Sequence, residues 1–209
     1  MTIKGIIFDL DGVLVHTDEL HYLAWKELAD RLGIYFDRSI NERLRGVSRM
    51  ASLEIILGDN KLSDTEKEVL ADEKNEKYRS LLGTLKPSDV SDEVRKTLAT
   101  LKEKGIKLAI GSSSKNAKFI LQQIGLIDEF DAISDGNNIT RSKPDPEVFL
   151  KAAEFLDLPP AECIVVEDAQ AGIAAANAGG FISAGYGSAA SDPDAKHTLN
   201  TLSDLVKLI

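Results

Sequence analysis

Asp9 and Asp11 stand two positions apart in Phe8-Asp9-Leu10-Asp11-Gly12-Val13-Leu14, directly after the apolar stretch 3–7. In a strand, side chains at i and i+2 share a face. Two carboxylates would therefore meet where a buried strand ends and a glycine turns the chain. Their repulsion calls for a cation or a shared proton; a solvated Asp-Gly turn is the plain alternative. Ser112 follows Lys107-Leu-Ala-Ile-Gly111 and opens Ser112-Ser113-Ser114-Lys115-Asn116. Hydroxyls and free backbone N–H groups before a helix suit a phosphate oxyanion, and Ser114 reads equally as a helix cap. Lys143, in Ser142-Lys143-Pro144, is a loop charge in isolation, and a counter-ion and phosphate ligand beside two carboxylates. Glu167-Asp168 follows Cys163-Ile-Val-Val166. Asp168 reads as a cap for the next helix or, with Glu167, as part of an oxygen-rich site for Mg2+, which takes carboxylate, water and phosphate oxygens.

These groups need elements to hold them. Residues 5–8, 107–111, 132–134, 164–166 and 182–186 read as buried parallel strands. Helical patterns at 92–104, 116–124, 146–156 and 169–178 separate most of them. The alternation predicts an α/β fold, a Rossmann-like doubly wound parallel sheet with right-handed crossovers. Sites in such sheets form outside the carboxyl ends of the strands, where Asp9, Ser112 and Glu167 fall. A plain crossover needs only about a dozen residues, yet the interval between the first two strands is far longer. It reads helical at 19–32, near 40–44, at 51–57 and at 64–82, with a capping-box pattern in Ser63-Asp64-Thr65-Glu66. This predicts a small inserted α-helical cap domain, residues 16–85, over the strand ends of a Rossmann-like catalytic core, residues 1–15 and 86–209. Linkers fall near 14–17 and 84–87.

Composition sets bounds. The 209 residues, 43% hydrophobic, suffice for one large domain or a domain with an insert. A net charge of −9 opposes general nucleic-acid binding, which needs clustered Lys and Arg, and leaves room for a local anion site. The single cysteine, Cys163, cannot form an internal disulfide and reads as a small core residue. With no signal-like start and no apolar run near 18 residues, the expectation is a cytoplasmic protein with no membrane partner.

The ordered set Asp-x-Asp-Gly, Ser, Lys-Pro, Glu-Asp resembles the haloacid dehalogenase superfamily, and Asp11 marks its phosphotransferase branch. The insert is similar to the small cap of the β-phosphoglucomutase and phosphoglycolate-phosphatase group. Resemblance to the β-phosphoglucomutase family covers essentially the whole chain. It rests on Thr17-Asp-Glu-Leu-His21 with Ala24-Trp25-Lys26, and on Asn41-Glu-Arg-Leu-Arg-Gly46-Val47-Ser48-Arg49 with Ser52. Lys74-Asn75 with Tyr78, the Ser112 to Asn116 run and Glu167-Asp-Ala-Gln-Ala-Gly172 complete it. The departures are His16 for a usual aspartate, Ser91-Asp92 for Pro-Gly, and Met50-Ala51 for an acidic pair.

The resemblance implies a Mg2+-dependent isomerase that interconverts β-D-glucose 1-phosphate and glucose 6-phosphate. The route would be an aspartyl-phosphate and bound glucose 1,6-bisphosphate, which is also the primer. It implies Asp9 as nucleophile, Asp11 as general acid and base, and Ser112 and Lys143 on the phosphoryl oxygens. The metal would be held by Asp9, the Asp11 backbone carbonyl and Asp168, with Glu167 behind them. His21, Trp25, Gly46, Val47, Ser48, Arg49, Ser52 and Lys74, with Ser114, Lys115 and Asn116, would bind the sugar and its distal phosphate. Arg49 suits phosphate through its planar fork. His21 would position Asp11, with Lys74 hydrogen-bonded behind it, and cap closure would exclude water. A sugar-phosphate phosphatase on the same scaffold is the nearest rival, and a non-enzymatic phosphate-responsive module the remote one. The expected partner is a small phosphorylated sugar bound by a monomer.

Overall fold

Six short strands run parallel in one sheet: β1 (Gly5–Phe8), β2 (Lys107–Gly111), β3 (Ala132–Ser134), β4 (Cys163–Glu167), β5 (Ile182–Gly185) and β6 (His197–Thr198), in the order β3-β2-β1-β4-β5-β6. They are described by a computed structural model covering residues 2–44 and 47–209. Five strands stand where the apolar runs put them; β4 gains a residue at each end and β5 stops one residue earlier. The sixth was not expected. It pairs with β5 through only Ala184↔His197 and Gly185↔Thr198, and two residues carry no periodicity to read.

β1 lies at the centre, with Phe8 paired to Ile110 on one side and to Val166 on the other. Strands covered on both faces read as continuous apolar runs, as in Ile6, Ile7 and Phe8, all fully buried. The chain moves outward through β2 and β3, then returns to the other side of β1 for β4. This is the topological switch point where such sheets place their sites, and it sets Asp9 beside Glu167.

Four helices belong to the sheet: α5 (Asp92–Glu103), α6 (Ala117–Gln123), α7 (Glu147–Leu156) and α8 (Gln170–Ala178). Val148, Phe149, Ala152 and Ala153 of α7 pack with Ile7, Ala109, Val165 and Phe181 in one buried cluster. Phe149 and Phe181 meet edge to face, with centroids 6.2 Å apart.

The chain divides into two compact units, one running up to His16 and again over Lys86–Ile209, the other Thr17–Leu85. The second is helical: α1 (Asp18–Arg31), α2 (Arg38–Glu42), α3 (Arg49–Leu57) and α4 (Asp64–Leu82). Each of the last three has a side-chain cap. Asp37 Oδ1 accepts from Ile40 N at 2.9 Å, Ser48 Oγ from Ala51 N at 3.3 Å, and Ser63 with Glu66 closes a capping box. The Ser48 cap starts α3 two residues before the apolar pattern does, which puts Arg49 in its first turn. Trp25, Leu28, Phe36, Leu53, Ile56 and Ala71 form this unit's own core. Among the described residues no helix is long and apolar enough to cross a membrane.

Ser63→Ala removes the hydroxyl that accepts from Glu66 N. It should cost about 1 kcal/mol, read as a lowered urea midpoint for the helical unit; an unchanged midpoint would show that the box does not hold α4.

Candidate active site

The backbone N–H of Asp9 donates to Val166 O at 2.9 Å, so the residue extends the sheet edge by one hydrogen bond beyond β1. Its side chain is 7% exposed. Lys143, from the loop before α7, donates to Asp9 Oδ1 at 2.5 Å and to Glu167 Oε1. Its ammonium also lies 4.6 Å from the centre of the Phe149 ring. The other oxygen of Glu167 accepts from the N–H groups of Asp168 and Ala169, both at 3.0 Å.

That last contact corrects the reading of Asp168 as a helix cap. The residue at the N-cap of α8 is Ala169, with no side-chain cap, and Glu167 ties down the preceding backbone because its longer side chain can fold back. Gly172 makes room: a Cβ there would lie 2.0 Å from Glu167 Cδ. Gly12 plays a parallel part. It turns the chain after Asp11 at φ +87°, and a Cβ on it would lie 2.1 Å from Asp168 Oδ2.

One carboxylate oxygen each from Asp9, Glu167 and Asp168 lie within 4.8 Å of one another. Lys143 pairs with two of these three buried carboxylates, those of Asp9 and Glu167. Burial pushes the Asp9 carboxyl well above the usual range. Lys143 opposes that rise, while Glu167, Asp168 and finally Asp11 add to it. Burial also works against the Lys143 ammonium, yet Asp9 and Glu167 outweigh it and its pKa is raised. The expected Asp9–Asp11 repulsion is thus the weakest of those named. β1 has already ended at Phe8, so the two-residue period does not carry across the pair, and Asp11 bridges to Val15 in the turn. Three hard carboxylate oxygens within reach of one another fit Mg2+.

The phosphate-loop expectation needs a second correction. Ser112 is buried, and its N–H donates to Ser134 O at 3.1 Å. Its Oγ accepts from Ser114 N, and Ser114 Oγ accepts from Asn116 N, each at 3.2 Å. Two N–H groups expected to be free are therefore taken by local hydroxyl turns, and no side chain caps α6. Lys115 is exposed and Asn116 is buried. Asn137 Nδ2 donates to Lys115 O at 3.0 Å, and Gly136 N to Ser114 O at 3.2 Å. Sequence reasoning missed this brace; Asp135-Gly136-Asn137 signals only a turn.

In the helical unit, Lys74 is 4% exposed, with Nζ 2.9 Å from His21 Nδ1. An ammonium has only donors, so Nδ1 accepts and the ring proton sits on Nε2. The Lys74 ammonium lies 4.4 Å from the Trp25 ring centre and 4.7 Å from that of Tyr78. Tyr78 stacks on His21 at 3.9 Å. Loss of hydration holds the His21 pKa well below 6.5, and Lys74 and Arg49 lower it further. His21 is thus a neutral N–H donor at neutral pH. Trp25 and Ser52 are almost wholly buried, so Trp25 carries Lys74 on its ring face. Val47, Ser48 and Arg49 are half-buried. Arg49 Nη2 donates to Asn75 Oδ1 at 2.8 Å and Nη1 to Asp72 Oδ1 at 3.4 Å. Gly46 lies outside the described residues.

The structure therefore gathers Asp9, Lys143, Glu167 and Asp168, with Ser112 on the neighbouring strand end, in one unit. It gathers His21, Lys74 and Arg49 in the other. A family model described as haloacid dehalogenase-like hydrolase matches residues 3–180. Among curated proteins, the chain is 45% identical over 188 residues to the β-phosphoglucomutase of Bacillus subtilis, covering 88% of this chain and 83% of that one. It is 33% identical to the fructose-1-phosphate phosphatase YqaB of Escherichia coli, over 85% and 93% of the two chains. The solved β-phosphoglucomutase of Clostridium difficile superposes with a TM-score of 0.92 at 38% identity, over 98% and 93% of the two chains.

Two outcomes follow from the charges. Lys143→Ala leaves buried carboxylates without their cation, which should cost about 3–5 kcal/mol in denaturant unfolding at pH 7. Mg2+ should recover part of that loss, and an unchanged stability would show the ion pair to be dispensable. For His21, the unfolded chain takes up a proton below about pH 6.5 that the native ring refuses. This residue therefore favours the native state fully above that pH and progressively loses its contribution as pH falls. An NMR titration of the imidazole should give a midpoint below 6.5, moved upward by Lys74→Ala; a native midpoint at or above 6.5 contradicts the assignment.

Proposed function

The chain belongs to the haloacid dehalogenase-like hydrolase family, and from its likeness to the β-phosphoglucomutases of Bacillus subtilis and Clostridium difficile we propose that it is a β-phosphoglucomutase, exchanging the phosphate of β-D-glucose between positions 1 and 6. The observation that carries the reading is Asp9: a buried carboxylate at the switch point, gripped by Lys143 at 2.5 Å and flanked by Glu167 and Asp168. In this reading the sheet unit is the catalytic core and residues 16–85 are its cap.

Asp9 is the nucleophile. One of its oxygens bonds to phosphorus as the phosphorus–sugar oxygen bond breaks, and the departing sugar oxygen takes a proton from Asp11. In the second half, the enzyme so charged by glucose 1,6-bisphosphate meets β-glucose 1-phosphate, and Asp11 removes the proton from its free 6-hydroxyl. That oxygen then attacks the aspartyl-phosphate and frees Asp9. The product of that transfer is glucose 1,6-bisphosphate, which turns end for end so that Asp9 takes the phosphate from position 1, releasing glucose 6-phosphate and restoring the aspartyl-phosphate. Asp9, the Asp11 carbonyl and Asp168 would hold Mg2+, which would lend positive charge to the phosphoryl oxygens. Lys143 supplies more, exchanging a carboxylate partner for the incoming phosphoryl group. Ser112 Oγ already accepts from Ser114 N, so its own proton is left to donate to a phosphoryl oxygen.

The distal phosphate is taken by Arg49 with Ser114, Lys115 and Asn116, and the sugar by the segment of Gly46, Val47 and Ser48 with Ser52. His21 offers its Nε2–H to orient Asp11, while Lys74 and Trp25 hold the ring. The enzyme works as a cytoplasmic monomer on a small phosphorylated sugar. The phosphatase reading has its own support in the 33% identical phosphatase of Escherichia coli; there, water would replace the sugar hydroxyl in the second half.

With β-glucose 1-phosphate, Mg2+ and catalytic glucose 1,6-bisphosphate, glucose 6-phosphate should accumulate. Release of inorganic phosphate alone would overturn the mutase reading and leave the phosphatase. Asp9→Asn should abolish both reactions. Asp11→Asn should lower turnover by roughly a hundredfold or more, with the bisphosphate still bound in calorimetry; a phosphate-responsive module would show no turnover to lose and would keep its ligand response in this variant.

A further inference from the structure

Arg49 emerges from the first turn of α3, and its two terminal nitrogens meet two different partners on α4. Nη2 donates to Asn75 Oδ1 at 2.8 Å. Nη1 reaches Asp72 Oδ1 at 3.4 Å, a long contact to a side chain that is 80% exposed. Asp72 and Asn75 are three residues apart, hence neighbours on one face of α4. The two contacts differ in what they do to the guanidinium. An amide oxygen fixes the plane of the fork and leaves its full positive charge. A carboxylate at 3.4 Å cancels part of that charge, and because it is exposed and loosely held, giving it up costs little.

We propose that Asn75 is a positioning residue that aims Arg49, and that Asp72 is a displaceable counter-ion competing with the incoming phosphate dianion for the same fork. The inference rests on the reading of Arg49 as the distal-phosphate ligand. It makes primer affinity at this site a balance: one neighbour raises it by geometry, the other lowers it by charge. Asp72 would also suppress binding of weaker, singly charged anions, which cannot evict a carboxylate as a dianion can.

Calorimetric titration of glucose 1,6-bisphosphate onto the Asp9→Asn protein with Mg2+ removes turnover from the measurement. In that background Asp72→Asn should tighten Kd roughly two- to fivefold, the worth of one exposed ion pair. Asp72→Glu should stay near the parent value. Asn75→Ala should weaken binding roughly three- to tenfold, the worth of one hydrogen bond. A tightening is not produced by structural damage, so Asp72→Asn remains decisive even where Asn75→Ala folds poorly. An Asp72→Asn protein that binds no better, or an intact Asn75→Ala protein that binds no worse, overturns the proposal. Arg49→Ala separates the two levels: unchanged binding there removes the distal-phosphate reading itself. Weakened binding there, with both neighbours silent, removes only the division of labour between Asn75 and Asp72.

Discussion

Everything at the strand ends depends on one buried ammonium shared between two carboxylates. Lys143 is almost fully enclosed, and so are Asp9 and Glu167. Buried ions are tolerated only when paired and hydrogen-bonded, and this group meets the condition by spreading its contacts. Lys143 holds one oxygen of each acid, and the second oxygen of Glu167 holds two backbone N–H groups at the entry to α8. Asp168 sets a third buried carboxylate beside the pair. Three acids gathered in a water-poor place make a set of oxygen donors of the kind a divalent cation takes.

Much of this was legible in the chain. Continuous apolar runs gave five strands, because a parallel sheet covered on both faces needs them, and the Ser63 to Glu66 pattern gave α4 to the residue. What escaped has physical reasons. β6 is too short to carry a pattern. The apparent Asp9–Asp11 pair followed from extending the strand period past the point where the strand stops. Glu167, not Asp168, grips the start of α8, because a glycine five positions later leaves space that no local propensity signals. Lys143 next to Asp9 was readable only through the topology, since the two are 134 residues apart.

The helical unit shows the same economy in a different medium. Lys74 is buried with aromatic faces and an imidazole rather than with acids. Its charge is spent on setting a tautomer: whatever His21 meets, it meets as a donor. A packing decision inside one unit thereby fixes a hydrogen-bonding polarity at its surface, without any titratable proton changing hands.

The rims of the sheet carry a consequence for the life of the protein in a crowded solution. β3 and β6 are its two edges, of three and two residues. An open edge is a template on which a foreign strand can grow, and long apolar strands make that hazard worse. Here the longer apolar strands lie in the interior of the sheet, and the two outermost strands are too short to nucleate a stack. The sheet can thus keep the continuous hydrophobic strands that position Asp9 and Glu167 without advertising them to other chains.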